Sequence, residues 1–174
     1  SEVGVGMNSF MNKAVDRTGP SWLPAFLAVA PVIATSLIGQ AFTTPNLAPW
    51  YASLAKPPFT PPNWVFAPVW TTLYVLMAAA FWRILRSPAW EPGRRAAIGF
   101  FLVQLAFNAG WSIAFFGLHR PDIGLVVIAG LIVAISMTIY VFLDIDGVAA
   151  SLLIPYLLWT SFATLLNASI WMLN

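Results

Sequence analysis

Apolar residues in this chain do not alternate with polar ones. They run together in five blocks, at about residues 22–42, 62–85, 96–118, 123–143 and 148–173. Each block is about 20 residues or longer, enough to cross a hydrocarbon layer of about 30 Å as a helix. None contains Lys, Asp or Glu, and the one charge inside a block, Arg83, sits near an end where it can snorkel to the interface. Pro31, Pro68 and Pro155 fall inside blocks, where a membrane helix is expected to kink and continue. The pattern predicts an all-α membrane protein, a bundle of five transmembrane helices.

The connections are short except for residues 43–61, which carry Pro45, Pro49, Pro57, Pro58 and Pro61. The stretch 46–55 is compatible with a short helix presenting Trp50, Tyr51 and Leu54 on one face. That face suits either a proline-stiffened lid over a binding site or an interfacial anchor. Residues 1–19 are expected to be an N-terminal extension to a membrane domain at 20–174. The six residues ahead of Met7 are expected to be a remnant of processing or expression engineering. No secretory signal is expected, because the first apolar run starts only near Trp22. The predicted spans show no internal repeat, which argues against a transporter made of inverted halves.

Composition narrows the chemistry. The chain is 60% hydrophobic and 8% charged, with a net charge of +2 and no cysteine. Lipid must therefore solvate most of its surface. A nucleic-acid partner is not expected without a basic run, and thiol chemistry is excluded. Lys13, Arg17, Arg83, Arg86, Arg94 and Arg95 fall on one side of a five-span topology, against Lys56 and Arg120 on the other. The positive-inside rule then predicts a cytoplasmic N-terminus, with the lid loop and C-terminus outward. Without β-strand alternation, the pattern suits a bacterial inner membrane rather than a barrel.

The spans hold no acidic group, lysine or histidine, so proton relays, ion pumps and voltage sensors are rejected. His119, the only histidine, is expected to be a loop residue at an interface, and no metal site is expected. Met77 and Met137 are read as packing residues. What the spans do hold is neutral polar groups among aromatics. Trp70, Tyr74, Met77 and Phe81 share one helical face; so do Gln104, Asn108, Trp111 and Phe115, and again Tyr156, Trp159, Ala163 and Asn167. These faces should point inward. They could bond one another across helices or line a ligand pocket. Ala106, Gly110 and Ala114 form a small-residue stripe suited to a homodimer, with Gly130, Ala134 and Thr138 as a rival and packing within one bundle as the plain alternative.

Three segments carry a resemblance. WYASLAKPPFTPPNWVFAPVWTTLY at 50–74, QLAFNAGW at 104–111 and LIPYLLWTSFATLLN at 153–167 resemble, in order, the motifs of the TspO/MBR family, the tryptophan-rich sensory and translocator proteins. The resemblance spans about residue 20 to the end. It implies a five-helix bundle, commonly dimeric, with a pocket beneath the first loop. It also implies a porphyrin such as protoporphyrin IX as ligand, with cholesterol and synthetic drugs bound by animal members. Transferred by position, the ligand-binding residues are Trp50, Phe66, Trp70, Tyr74, Asn108, Trp111, Tyr156, Trp159, Phe162 and Ala163. Three departures stand out. Pro58 replaces an aromatic or small polar residue in the lid. No basic residue follows Tyr156, which favours porphyrin over sterol. Phe162 is bulky where some relatives have Ala, implying a tighter pocket floor.

The expected function is a membrane receptor or sensor that binds porphyrin as a ligand and requires no cofactor. Two alternatives stay open. One is an enzyme degrading porphyrin in light and oxygen, with Trp70 and Trp159 as radical relays and no other catalytic residue. The other is a translocator of tetrapyrroles or sterols.

Overall fold

The computed structural model describes residues 20–174. The N-terminal extension expected over residues 1–19, with Lys13 and Arg17, lies outside the described residues. Six helices build five spans: α1 (Leu23–Leu47), α2 (Asn63–Leu85), α3 (Arg94–Ser112), α4 (Pro121–Leu143), and the pair α5 (Gly147–Leu152) and α6 (Ile154–Leu173), which together make the fifth. No strand occurs among the described residues. Lengths and mean hydropathies of 1.5–2.6 suit membrane crossing. The protein is an integral, multi-pass membrane protein.

Several element ends differ from the sequence pattern. α1 does not stop near residue 42 but runs through Pro45 to Leu47, so the loop starts at Ala48 rather than residue 43. A proline in the last turn removes one donor. The next residue, Asn46, donates from Nδ2 to the Phe42 carbonyl at 2.7 Å, fastening the last turn. The expected helix in the loop is a single 3-10 turn, Tyr51–Ser53. α3 starts two residues earlier than expected and continues as a π-helical turn, Ile113–Gly117, in which Leu118 N–H reaches back to the Ile113 carbonyl (2.8 Å). α4 starts at Pro121, two residues early, because a proline is well placed in a first turn. The fifth span kinks at Leu153, a single αR residue between α5 and α6. Pro155 offers no N–H to the Ser151 carbonyl, and Leu153 N–H turns to Ala150 O (3.1 Å).

Arg83 lies in the last turn of α2 with its side chain partly exposed. Its Nε donates to Asp146 Oδ2 at 2.8 Å, tying the end of α2 to the turn before α5. Asp146 also caps α5, accepting from Val148 and Ala149 N–H at 2.9 and 3.0 Å. Desolvation alone would raise its pKa. The Ala149 and Val148 N–H groups and the Arg83 guanidinium outweigh that and hold the carboxyl below its usual range. A depressed folded pKa contributes stability above the unfolded value of about 4 that is lost as pH falls further. Asp146→Ala should therefore cost about 1 kcal/mol, mostly the cap. In detergent melting curves, the gap from wild type should close as the pH drops below about 4.

The helices form a ring. α1 packs beside α2 and α3, α3 beside α4, and α4 beside α6, with α5 wedged against α2 and α4. α6 keeps its backbone away from α1 and α2, which leaves a space bounded by α1, α2, α3 and α6. At the other end of the bundle the rings of Phe81, Phe101 and Phe142 stack, with Phe81 and Phe101 centroids 4.1 Å apart. Val126 (73% exposed) and Leu158 (66%) typify the outer surface. In water such exposure would be costly; against acyl chains it costs nothing.

Candidate functional site

The nine tryptophans divide by environment. Trp22, Trp64, Trp90 and Trp171 are exposed near span ends, as interfacial anchors are. Trp82 lies under the Arg86 guanidinium. Trp70, Trp111 and Trp159 face a cavity of about 440 Å³ between α1, α2, α3 and α6. That volume falls within the common size of small-molecule sites.

All three faces marked out by helical spacing point inward. Trp70, Tyr74, Asn108, Trp111, Phe115, Trp159, Ala163 and Asn167 line the cavity, as does Phe66. The lower members, Met77, Phe81 and Gln104, are buried below it. Both readings of the polar groups hold at once, since they bond one another and still border the hollow. Tyr74 OH donates to Asn108 Oδ1 (3.1 Å), and Asn108 Nδ2 donates to Tyr156 OH (2.7 Å). Trp111 Nε1 donates to Asn167 Oδ1 (3.0 Å), whose Nδ2 donates to the Pro121 carbonyl (2.7 Å). Two polar chains thus lock α2, α3 and α6, and α6 to the start of α4.

Three of the expected residues sit elsewhere. Tyr156 is behind Asn108, 1% exposed, supporting the wall without bordering the hollow. Phe162 is not a floor. It lines an apolar groove on the outer, lipid-facing side with Pro68, Thr72, Pro155 and Leu158. Trp159 lines both groove and cavity, so its indole is part of the partition between them. Phe66 and Phe162 brace it, at centroid distances of 5.9 and 5.5 Å. Trp50 does not reach the cavity either; Tyr51, beside it, does.

The loop is pinned as a cover. Trp50 stacks on His119 (4.5 Å, 13° between planes) and meets Phe115 and Phe116 edge-on. His119 is thus more than an interfacial loop residue. Its left-handed backbone (φ 53°) turns the ring towards α1, where Nε2 donates to Asn46 Oδ1 at 2.8 Å. Tyr51 is buried under the loop, which pushes its phenol pKa up. At the far end Asn174 accepts from Ala55 N–H (3.0 Å) and donates to its carbonyl (2.9 Å).

Sequence reasoning missed one wall. Ser36, Gly39, Gln40 and Thr43 on α1 line the cavity. Their spacing of i, i+3, i+4 and i+7 is the same signal that marked the other three helices. The small-residue stripe on α3 is largely used inside the protomer. A Cβ on Gly110 would lie 3.6 Å from Val127, and Ala114 is 4% exposed. The rival Gly130 receives the Phe107 ring, 2.6 Å from where a Cβ would stand. Ala106 alone of the stripe is exposed.

Five apolar spans around an aromatic chamber under a pinned loop define a class: a multi-pass helical membrane protein with an internal cavity. The chain belongs to the TspO/MBR family, whose model matches residues 20–172. It is 42% identical over 147 residues to the tryptophan-rich protein TspO of Archaeoglobus fulgidus, covering 84% of this chain and 94% of that one. It is 39% identical over 125 residues to the tryptophan-rich sensory protein of Cereibacter sphaeroides, covering 72% and 77%. It is 33% identical over 154 residues to the translocator protein of Homo sapiens, covering 87% and 90%.

Proposed function

We propose that this protein is a membrane receptor that binds a porphyrin, such as protoporphyrin IX, in the cavity between α1, α2, α3 and α6. The observation that carries the reading is the lining itself. Three indoles, from α2, α3 and α6, face one hollow whose described lining contains no carboxylate, amine, guanidinium or imidazole. Flat π-faces against a flat macrocycle bury a large apolar area, and indoles lose little side-chain entropy on ordering. With no carboxylate, imidazole or amine in the lining to activate its hydroxyls, binding fits the site better than acid–base or acyl-transfer catalysis. Binding would couple to a tetrapyrrole or oxidative-stress response through the loop that covers the cavity.

The test is a titration of protoporphyrin IX into purified protein, followed by tryptophan fluorescence. The reading requires saturable quenching at one equivalent per chain. Linear, unsaturable quenching would end it.

The membrane placement we propose is a bacterial inner membrane, with the α2–α3 and α4–α5 turns cytoplasmic and the covering loop outward, following the basic residues Arg83, Arg86, Arg94 and Arg95. For a homodimer through α3, the contact falls to Ala106 with the exposed Leu102 and Val103, because Gly110 and Ala114 face their own bundle. In intact membranes Ala106→Cys should crosslink and Gly110→Cys should not.

A further inference from the structure

The α1–α2 wall of the cavity has a different character from the rest. It presents Ser36, Gln40, Thr43 and Thr44 from α1, and Asn63 and Thr71 from α2. All six are neutral. From Ser36 to Thr44 the α1 groups cover about 12 Å along the axis, at 1.5 Å per residue.

These groups are also uncommitted. Elsewhere in the spans, Thr35, Thr72, Thr138 and Thr164 turn their hydroxyls back onto the carbonyl four residues earlier, at 2.7–2.9 Å. That is how a hydroxyl is satisfied in an apolar medium. Thr43, Thr44 and Thr71 line the cavity and make no such bond among the described residues, nor does Asn63 make a side-chain bond; Gln40 Nε2 reaches only Ser36 Oγ, at 3.0 Å. Thr160, buried outside the cavity, is the remaining span threonine without a partner. Of the other lining groups, the Tyr74 hydroxyl and Trp111 N–H each donate within the protein, whereas the Ser112 and Tyr51 hydroxyls and the Trp70 and Trp159 N–H groups stand singly on separate elements. The largest contiguous group of free hydroxyl and amide capacity in the cavity therefore lies along α1 and the start of α2.

We propose that this rim is the subsite for the oxygen-bearing edge of the ligand. The inference rests on the porphyrin reading and narrows it. The site takes a flat macrocycle carrying several polar substituents along one edge, such as a tetrapyrrole dicarboxylic acid, with that edge on α1 and α2 and its apolar remainder against the indoles. A sterol offers a single hydroxyl and would leave most of the rim facing hydrocarbon, which is unfavourable for each unmatched group. The rim has no cation, so it recognises the carboxyl by hydroxyl and amide donors rather than by charge.

The experiment compares protoporphyrin IX with octaethylporphyrin, which has the same macrocycle and no oxygen. Affinities are read from the Soret band in wild type, in Gln40→Leu/Thr43→Val, and in Thr72→Val, a control on α2 outside the cavity. Wild type should prefer the diacid. In the double variant that preference should fall about tenfold, the loss of roughly one charge-assisted hydrogen bond, while Thr72→Val keeps it. An unchanged preference in the double variant, or an equal loss for both porphyrins, overturns the rim as a polar-edge subsite while leaving porphyrin binding intact. If wild type binds neither porphyrin, the receptor reading fails and the inference fails with it.

Discussion

Trp159→Ala should weaken protoporphyrin IX binding by about thirtyfold or more, the cost of about 2 kcal/mol or above common for a buried aromatic anchor. Trp159 borders the cavity on one side and the lipid-facing groove on the other. Truncation removes a stacking face and also breaches the partition, because the indole against which the Phe66 and Phe162 rings pack is gone. Acyl chains would then enter the space and compete for it. Trp159→Phe keeps an aromatic ring in the wall and should lose less. Trp90→Ala, 84% exposed at a span end, should bind like wild type. The Soret shift is the appropriate readout, because it does not depend on the deleted fluorophore.

Asn108→Ala should lower stability by about 1–3 kcal/mol. Asn108 is the middle of the chain Tyr74–Asn108–Tyr156 and joins three helices through two bonds. Removing it leaves the Tyr156 hydroxyl, 1% exposed, without its donor. In lipid no water replaces the lost partner, so the penalty is that of an unsatisfied buried group as well as a lost bond. Adding Tyr156→Phe to Asn108→Ala should recover part of the loss, because the stranded hydroxyl goes too. A double-mutant cycle by reversible unfolding in mixed micelles measures this. Additive single costs would show that the two residues do not interact.

Much of this arrangement was legible before any coordinates. The five spans follow from unbroken apolar runs, and the inward faces of α2, α3 and α6 follow from polar and aromatic residues recurring at helical spacing. A lipid-facing surface has no use for Asn108 or Asn167. The failures have local causes. Pro45, read into the connecting loop, is instead carried inside the end of α1, because a proline does not by itself end a membrane helix. The α1 wall was missed because Ser36, Gln40 and Thr43 are neutral and stand without the aromatic signal of the other helices. Trp50 and Phe162 were placed in the pocket by motif position. The loop turns Trp50 onto His119 instead, and helical phase puts Phe162 outside while Trp159 and Ala163 line the inside. The Arg83 partner, Asp146, was not legible because it is 63 positions away.

Filling the chamber tests its role most directly. Ala163 lines it and is 9% exposed, and Trp at that position would project into the hollow from α6. Protoporphyrin IX should saturate wild type at one equivalent and fail to saturate Ala163→Trp, in protein that remains monodisperse and melts cooperatively. Undiminished one-to-one binding to that filled variant would place the ligand somewhere other than between these helices.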